Sequence, residues 1–188
     1  MKQFMQALKM LIIMSVFLGL VYPLVVFGLA QIAFPASANG TLVLQNGRIV
    51  GSALIGQTFE QPQYFHSRPS ACKYDAANSS ASNLGPMNET LLTNAKSGAD
   101  AYRQENGLGE SYPVSSDAVL MSGSGLDPHI TLANALDQAA RVAQARRLPK
   151  QKIVDAIHRQ TQEKTFGLLG AERVNVLQLN VALDNGVM

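Results

Sequence analysis

The hydrophobic pattern of this chain changes character once, close to its start. From Met10 to Ala30 (MLIIMSVFLGLVYPLVVFGLA) no position is charged, and the charge-free run extends from Lys9 to Arg48. As a helix rising 1.5 Å per residue, such a stretch spans about 30 Å, the thickness of a bilayer's hydrocarbon core. The pattern predicts one membrane-spanning helix. The rival reading is a cleaved signal peptide, and Ala36-Ser37-Ala38 has the form of a cleavage site. The apolar stretch exceeds the roughly 7–15 residues of a signal's hydrophobic region, which favours a retained anchor. Lys2 and Lys9 precede the span and only Arg48 lies near it on the far side. The positive-inside bias therefore places the N-terminus in the cytoplasm and everything after Phe34 outside. Within the span, Ser15, Gly19 and Pro23 recur at four-residue spacing, and Ser15 with Gly19 forms a small-xxx-small pair that permits close helix approach.

Beyond the span the pattern becomes mixed. Residues 35–41 (PASANGT) read as a short flexible hinge. Leu42-Val43-Leu44 and Ile49-Val50 flank Asn46-Gly47, a pair suited to the positive φ angles of a type I′ hairpin turn. Ser52 to Phe59 reads as a continuation of the second strand. Gln61 to Met87 has neither helical nor strand period and is too long for an ordinary connection, so it reads as an ordered functional loop. Asn88 opens a helix to about Asn106, with Glu89 suiting its dipole. Met121 to His129 is a second irregular loop. In it Asp127 and Pro128 read as N-cap and first residue of a helix running to about Leu148, with Ile130, Leu136, Ala140 and Ala143 as its apolar positions. Pro149 starts another helix, to about Gln162, with Ile153, Ala156 and Ile157 apolar. Val174 to Leu183 (VNVLQLNVAL) alternates from Leu177 onward and reads as a strand. The expected architecture is an α/β (α+β) extracytoplasmic domain on a single N-terminal transmembrane helix: an anchor over residues 1–34, a linker over 35–41 and the domain over 42–188.

Charge narrows the function classes. Apart from Lys2 and Lys9, 13 basic residues balance 13 acidic ones, so the net +2 belongs to the anchor. A neutral domain argues against nucleic-acid binding, which needs a basic surface against phosphate. The balance is uneven along the chain. Glu60 to Asp137 carries nine acids and four bases, and this field, with Glu105, Glu110 and Asp117, is a candidate for concentrating cations. The later basic residues Arg141, Arg146, Arg147, Lys150, Lys152 and Arg159 read as a solvated helix face. A single cysteine, Cys72, excludes an internal disulfide. The sequons at Asn39, Asn78 and Asn88 matter only in a glycosylating cell.

Candidate chemistry is sparse. Ser122-Gly123-Ser124-Gly125 lacks the Lys of a phosphate-binding loop and reads as a tight turn. Ser124, Asp127 and His129 supply the residue types of a hydrolytic triad. They crowd into one short segment, whereas triads converge from distant parts of a fold. A membrane-anchored extracytoplasmic hydrolase using Ser124 and His129 is the alternative function. His66, His129, His158 and Cys72 have no metal-ligand spacing. The aromatics and arginine of the first loop, Tyr64, Phe65, Arg68 and Tyr74, together with Asn83, are candidates for a partner interface. With one span in 188 residues, the chain cannot form an ion path alone.

Several segments together resemble a known family. They are GSALIGQTF (51–59), YFHSRPSA (64–71), YDAA (74–77), ASNLGP (81–86), SGSGLDPHI (122–130), RVA (141–143) and RVNVLQLN (173–180). In this order they resemble the C subunit of the Kdp potassium-importing P-type ATPase. The resemblance implies a non-catalytic, single-span subunit in a bacterial inner membrane, its domain capping a channel-like A subunit. A P-type B subunit would hydrolyse ATP and a small F subunit would accompany them, so ATP and K⁺ are handled by partners and this chain carries no cofactor. The family's C subunit is described as needed for assembly and as a catalytic chaperone that raises the B subunit's ATP affinity. An external domain could affect cytoplasmic ATP only through the membrane or the partner subunits.

Overall fold

In a computed structural model of the chain, residues 1–186 are described. Val187 and Met188, at the end of the expected domain, lie outside them. The chain divides into two units, Met1–Leu42 and Val43–Met188.

The first unit is built on one continuous apolar helix, α1 (Lys2–Ala33), long and apolar enough to cross a membrane and with none of its side chains buried. It begins earlier than the apolar run. Lys2 to Lys9 are helical as well, because their straight-chain residues favour helix and no breaker precedes Pro23. Phe17–Val21 forms a π-turn inside it, where the Tyr22 N–H reaches back to the Phe17 carbonyl. Pro23 explains the wide turn: it has no N–H to offer one turn back, and local widening accommodates the gap. Ser15, Gly19 and Pro23 all lie on the exposed surface, and nothing stands within 4 Å of the space a Cβ on Gly19 would fill. Part of the expected hinge is helical: Pro35–Ala38 forms a single turn, α2, which Pro35 starts from its preset φ.

The second unit opens with the expected hairpin. Strands β1 (Leu42–Gln45) and β2 (Arg48–Ser52) are joined by Asn46 at φ 50° and Gly47 at φ 76°. The strand does not continue to Phe59, as the pattern suggested. Ser52 Oγ accepts from Leu54 N–H and its carbonyl from Ile55 N–H, which turns the chain instead. Helix α3 (Glu89–Asn106) starts where expected, with the Asn88 side chain accepting from the N–H groups of Thr90 and Leu91. A single turn, α4 (Ser116–Val119), follows.

Two readings of the later chain are corrected. Asp127 caps no helix. Residues His129–Thr131 form strand β3, and helix α5 (Leu132–Arg146) starts on Thr131, whose Oγ1 accepts from Asn134 N–H. Ile130 is thus a buried strand residue and Ala140 is exposed; the buried apolar positions of α5 are Ala135, Ala139, Val142 and Ala143. Helix α6 (Lys150–Gln160) buries Ile153, Ala156 and Ile157 as expected. Val174 to Leu183 is not one strand. Strand β5 is only Arg173–Asn175, and α7 (Val176–Asp184) follows at once, its first turn capped by Asn175 Oδ1 accepting from Gln178 N–H. The buried residues Val176, Leu177, Leu179, Asn180 and Leu183 follow helical period, which wins because Asn180 has a buried use.

Strand β5 is central in a small antiparallel sheet of order β3-β5-β4, where β4 is Thr161–Gln162, with Ile130 opposite Val174 and Thr161 opposite Val174 on its other side. Helices α5, α6 and α7 cover it, and the core between them takes Phe65, Ile130, Val142, Ile153, Ile157, Val174, Val176 and Leu179.

Asn175 works twice: besides its cap it donates from Nδ2 to the Ala53 carbonyl, and it is only 2% exposed. Asn175→Ala is expected to cost about 2 kcal/mol in urea unfolding of the chain in detergent, because a buried carbonyl loses its donor along with the cap. The exposed cap change Asn88→Ala should cost about 1 kcal/mol. Equal losses would show that the buried amide does no more than cap.

Candidate functional site

The two irregular loops, far apart in sequence, meet each other and the segment after the hairpin. Ser80 N–H and Ser79 Oγ donate to the Ser124 carbonyl, Ser70 Oγ donates to the Gly125 carbonyl at 2.6 Å, and Gly56 N–H donates to the Leu126 carbonyl at 2.8 Å. Close approach decides two residue types here. A Cβ on Gly56 would stand 2.4 Å from the Tyr74 ring and 2.7 Å from the Asp127 carbonyl. Gly125, at φ 69°, has Cys72 Sγ at 2.5 Å and the Ser80 carbonyl at 2.7 Å from the same kind of position. The resembling segments 51–59, 64–77 and 122–130 are therefore one packed unit rather than separate motifs.

Arg68 ties the loops together electrostatically. Its Nη1 lies 2.9 Å from Asp127 Oδ2, with both side chains about a quarter exposed. Asp127 Oδ1 accepts from His129 N–H and lies 3.4 Å from His129 Nδ1. Burial pushes the Asp127 pKa up, but the hydrogen bonds from His129 and the charge of Arg68 outweigh it, and the carboxyl titrates below its ordinary range. Tyr74 Oη donates to the Arg68 carbonyl at 2.6 Å, and burial raises its pKa. Ser124 Oγ accepts from Leu126 N–H in its own turn, and among the described residues no hydrogen bond joins it to His129. The three residues of the hydrolase reading thus serve the local turn and the Arg68 pair.

Beneath this cluster, Phe65 is the first large correction among the interface candidates. It is fully buried at the centre of the core and presents nothing to a partner. Its segment is neither strand nor helix, so side-chain amides serve its backbone. Asn180 Oδ1 accepts from Phe65 N–H at 2.8 Å while Asn180 Nδ2 donates to the Phe65 carbonyl at 3.0 Å. Gln138 treats His66 the same way, at 2.7 and 3.2 Å.

Arg141 is the second correction. Far from facing solvent, its side chain is 7% exposed and donates to Asn106 Oδ1, Gln138 Oε1 and the carbonyls of Pro62 and Tyr64. Burial lowers its pKa, and Glu105, with Oε1 3.8 Å from Nε, opposes that. His66 Nδ1 lies 3.0 Å from Glu105 Oε1, yet burial and the Arg141 charge outweigh this pair and lower the His66 pKa. Arg146 is also engaged, donating to the Gln63 carbonyl and Asp184 and lying 5.2 Å over the Tyr64 ring. Asp117, expected on the acidic surface, is buried and accepts from Ser115, Thr131 N–H, Thr131 Oγ1 and Asn134.

Of the external interface candidates, Tyr64, Arg68 and Tyr74 are half-buried and internally bonded, whereas Asn83 is exposed, at φ 54°. His158 is exposed on α6, and no cluster of His, Cys, Asp and Glu able to hold a metal occurs among the described residues. A cavity of about 200 Å³ lies between α3 and α5, lined by His66, Tyr102, Glu105, Asn134 and Gln138. Sequence reasoning missed the buried amides Gln138, Asn175 and Asn180; the available signal for Gln138 and Asn180 was an amide at the helical spacing of apolar core positions, and for Asn175 its place just ahead of a helix.

A family model described as the K⁺-transporting ATPase c chain matches residues 4–185 of this chain. The chain belongs to this family. It is 53% identical over 173 residues to the Potassium-transporting ATPase KdpC subunit of Caulobacter vibrioides, covering 90% of this chain and 86% of the relative. The protein of the same name from Mycobacterium tuberculosis (strain H37Rv) is 49% identical over 185 residues, covering 97% of this chain and 98% of that one. The Koribacter versatilis protein of that name is 45% identical over 186 residues, covering 97% and 94%. The match includes α1, so the apolar helix is part of what the subunit shares with its relatives.

Two outcomes test the arrangement. Asn180→Leu keeps the volume but leaves the Phe65 N–H and carbonyl unsatisfied, and should cost about 2–4 kcal/mol in urea unfolding; a loss below about 1 kcal/mol would show that water replaces the amide. Burial raises the Asp117 pKa, but its four donors prevail and lower it below the usual 3.8. A lowered pKa means the ionised form stabilises the fold above the unfolded value, and that stability is lost as pH falls through the folded value. Stability should therefore decline below about pH 4. Asp117→Asn should be less stable at pH 7 and show a shallower acid limb in thermal melts across pH 2–7.

Proposed function

We propose that the chain is the accessory, non-catalytic subunit of an ATP-driven potassium-importing complex, needed for its assembly and stability. The observation that supports this best is the family match across nearly all of the sequence, residues 4–185, including both the apolar helix and the folded unit. In this reading α1 is a single-pass anchor in a bacterial inner membrane, the N-terminus is cytoplasmic and the folded unit lies outside. The partners are a channel-like A subunit that selects K⁺, a P-type B subunit that hydrolyses ATP, and a small F subunit. ATP and K⁺ belong to those partners. The polar residues described above favour a scaffold over a catalyst, since their hydrogen-bonding capacity is spent holding loops together. A chaperone-like effect on ATP affinity would have to travel through the anchor or through the partners. Ser15 and Gly19 offer the close-approach face for that helix contact.

The test is recovery of a complex. The affinity-tagged chain, purified in mild detergent, should bring down the other ATPase subunits and K⁺-stimulated ATP hydrolysis. Gly19→Leu should reduce that recovery by several-fold, while Val21→Phe should leave it within about twofold, as expected for a close-packed helix face. Recovery of the tagged chain alone would reject the assignment. Equal effects of the two substitutions would make α1 a tether only.

A further inference from the structure

Among the described residues, one buried side-chain nitrogen or oxygen has no hydrogen-bond partner, and it is Nε of Arg68. The Asp127 carboxylate takes Nη1 of the same guanidinium, and Nη2 has no acceptor among the described residues either. Nε and Nη2 make up the edge of the guanidinium turned away from Nη1. Such an edge is a fork that holds the two oxygens of a carboxylate side by side. In a fold that gives Arg141 four acceptors, a charged fork left open is an exception that calls for an explanation.

Arg68 stands between two cavities of opposite character. The one on the Asp127 side is also lined by Asp117, Glu172 and Arg173, so acids crowd it. The other, of about 460 Å³, is lined by Thr58, Phe59, Glu60, Lys73 and Tyr74 together with Arg68. Lys73 is exposed and has no ion-pair partner among the described residues, and the exposed Thr58 hydroxyl has no hydrogen-bond partner among them. The place of Lys73 is set by its loop. Lys73 and Tyr74 stand at φ 52° and 60°, a left-handed pair of non-glycine residues that persists only where its surroundings hold it. They do so through Tyr74, whose N–H donates to Ser70 Oγ at 3.0 Å and whose Oη donates to the Arg68 carbonyl at 2.6 Å. The free cation and the open fork therefore belong to one tied loop and line one cavity.

We infer that this cavity is a binding site for a small organic monocarboxylate, held by the Arg68 fork with Lys73 and Thr58 as further donors. Nη2 meets the first oxygen, and a small rotation of the side chain uncovers Nε for the second. The rings of Phe59 and Tyr74 offer an apolar wall to the body of the ligand, and the volume lies in the range of about 300–1,000 Å³ usual for small-molecule sites. Glu60 on the same cavity opposes a second negative charge, which favours a monocarboxylate over a phosphate dianion. The site lies wholly within the folded unit, so the inference does not depend on the assignment proposed above.

The experiment titrates the full chain in detergent at pH 7 with 4-fluorobenzoate, read by fluorine NMR against the same micelles without protein. Binding is expected with a Kd on the order of 1 mM, and saturating probe should raise the thermal midpoint of the chain. The uncharged isostere 4-fluorobenzamide and inorganic phosphate should each bind at least about tenfold more weakly, since neither pairs one negative charge with an apolar body at the fork. Lys73→Gln removes an exposed, unpaired cation, so it should leave the melt without probe unchanged and raise the Kd at least about threefold. Glu60→Gln should lower the Kd about twofold. Arg68→Lys keeps a charge opposite Asp127 but has no fork, and should raise the Kd at least about tenfold. Should that variant fail to fold, Lys73→Gln still decides. Absence of binding up to about 20 mM probe, equal binding of the benzamide, tighter binding of phosphate, or a Kd indifferent to Lys73→Gln would each overturn the inference.

Discussion

A buried peptide group without a hydrogen-bond partner costs about 1–3 kcal/mol, and Phe65 sits at 0% exposure in a segment belonging to no strand or helix. The fold meets that constraint with two side-chain amides. Asn180 from α7 and Gln138 from α5 each accept from a backbone N–H and donate to the same residue's carbonyl, at Phe65 and His66 in turn. They serve as a strand made of side chains. Once Phe65 is held, α5, α6 and α7 have a centre to pack around, and the loop after it is positioned to carry Arg68 towards Asp127.

The same logic extends to the charged groups. Arg141 is buried among four acceptors, two of them carbonyls of the 62–64 segment, so its charge is spread over hydrogen bonds instead of one carboxylate. A guanidinium suits this position because its fork reaches several acceptors at once and stays protonated even where burial lowers its pKa. Asp117 is the complementary case, an anion surrounded by donors from α4's start, β3 and α5. Such groups make poor reagents and good fasteners, in keeping with a subunit whose relatives are named as parts of a transport ATPase.

What could be read from sequence had local causes. The hairpin turn at Asn46-Gly47 and the cap at Asn88 depend on neighbouring residues, and both are found in place. The apolar faces of α3's successors were legible only where one period dominated, as at Ile153, Ala156 and Ile157. VNVLQLNVAL satisfies an alternating and a helical pattern at once, and the deciding fact, that Asn180 is needed by a residue 115 positions away, is invisible locally. Arg141 was read as solvated for the same reason: its acceptors lie on a distant segment. Phe65 looked like an interface aromatic because nothing in its own polar loop signals burial. Asp127-Pro128 imitated a helix start, but its carboxylate is claimed by His129 and Arg68.

The amide clamp also sets an order on the making of the protein. Phe65 leaves the ribosome long before Asn180, and contacts of such sequence separation form late and slowly. Until α7 has been synthesised, the central aromatic and its peptide groups have no place to go. A nascent chain paused before that point would display an open apolar interior to proteases and chaperones. Closure of the core around Phe65 therefore waits for α7, which carries Asn180.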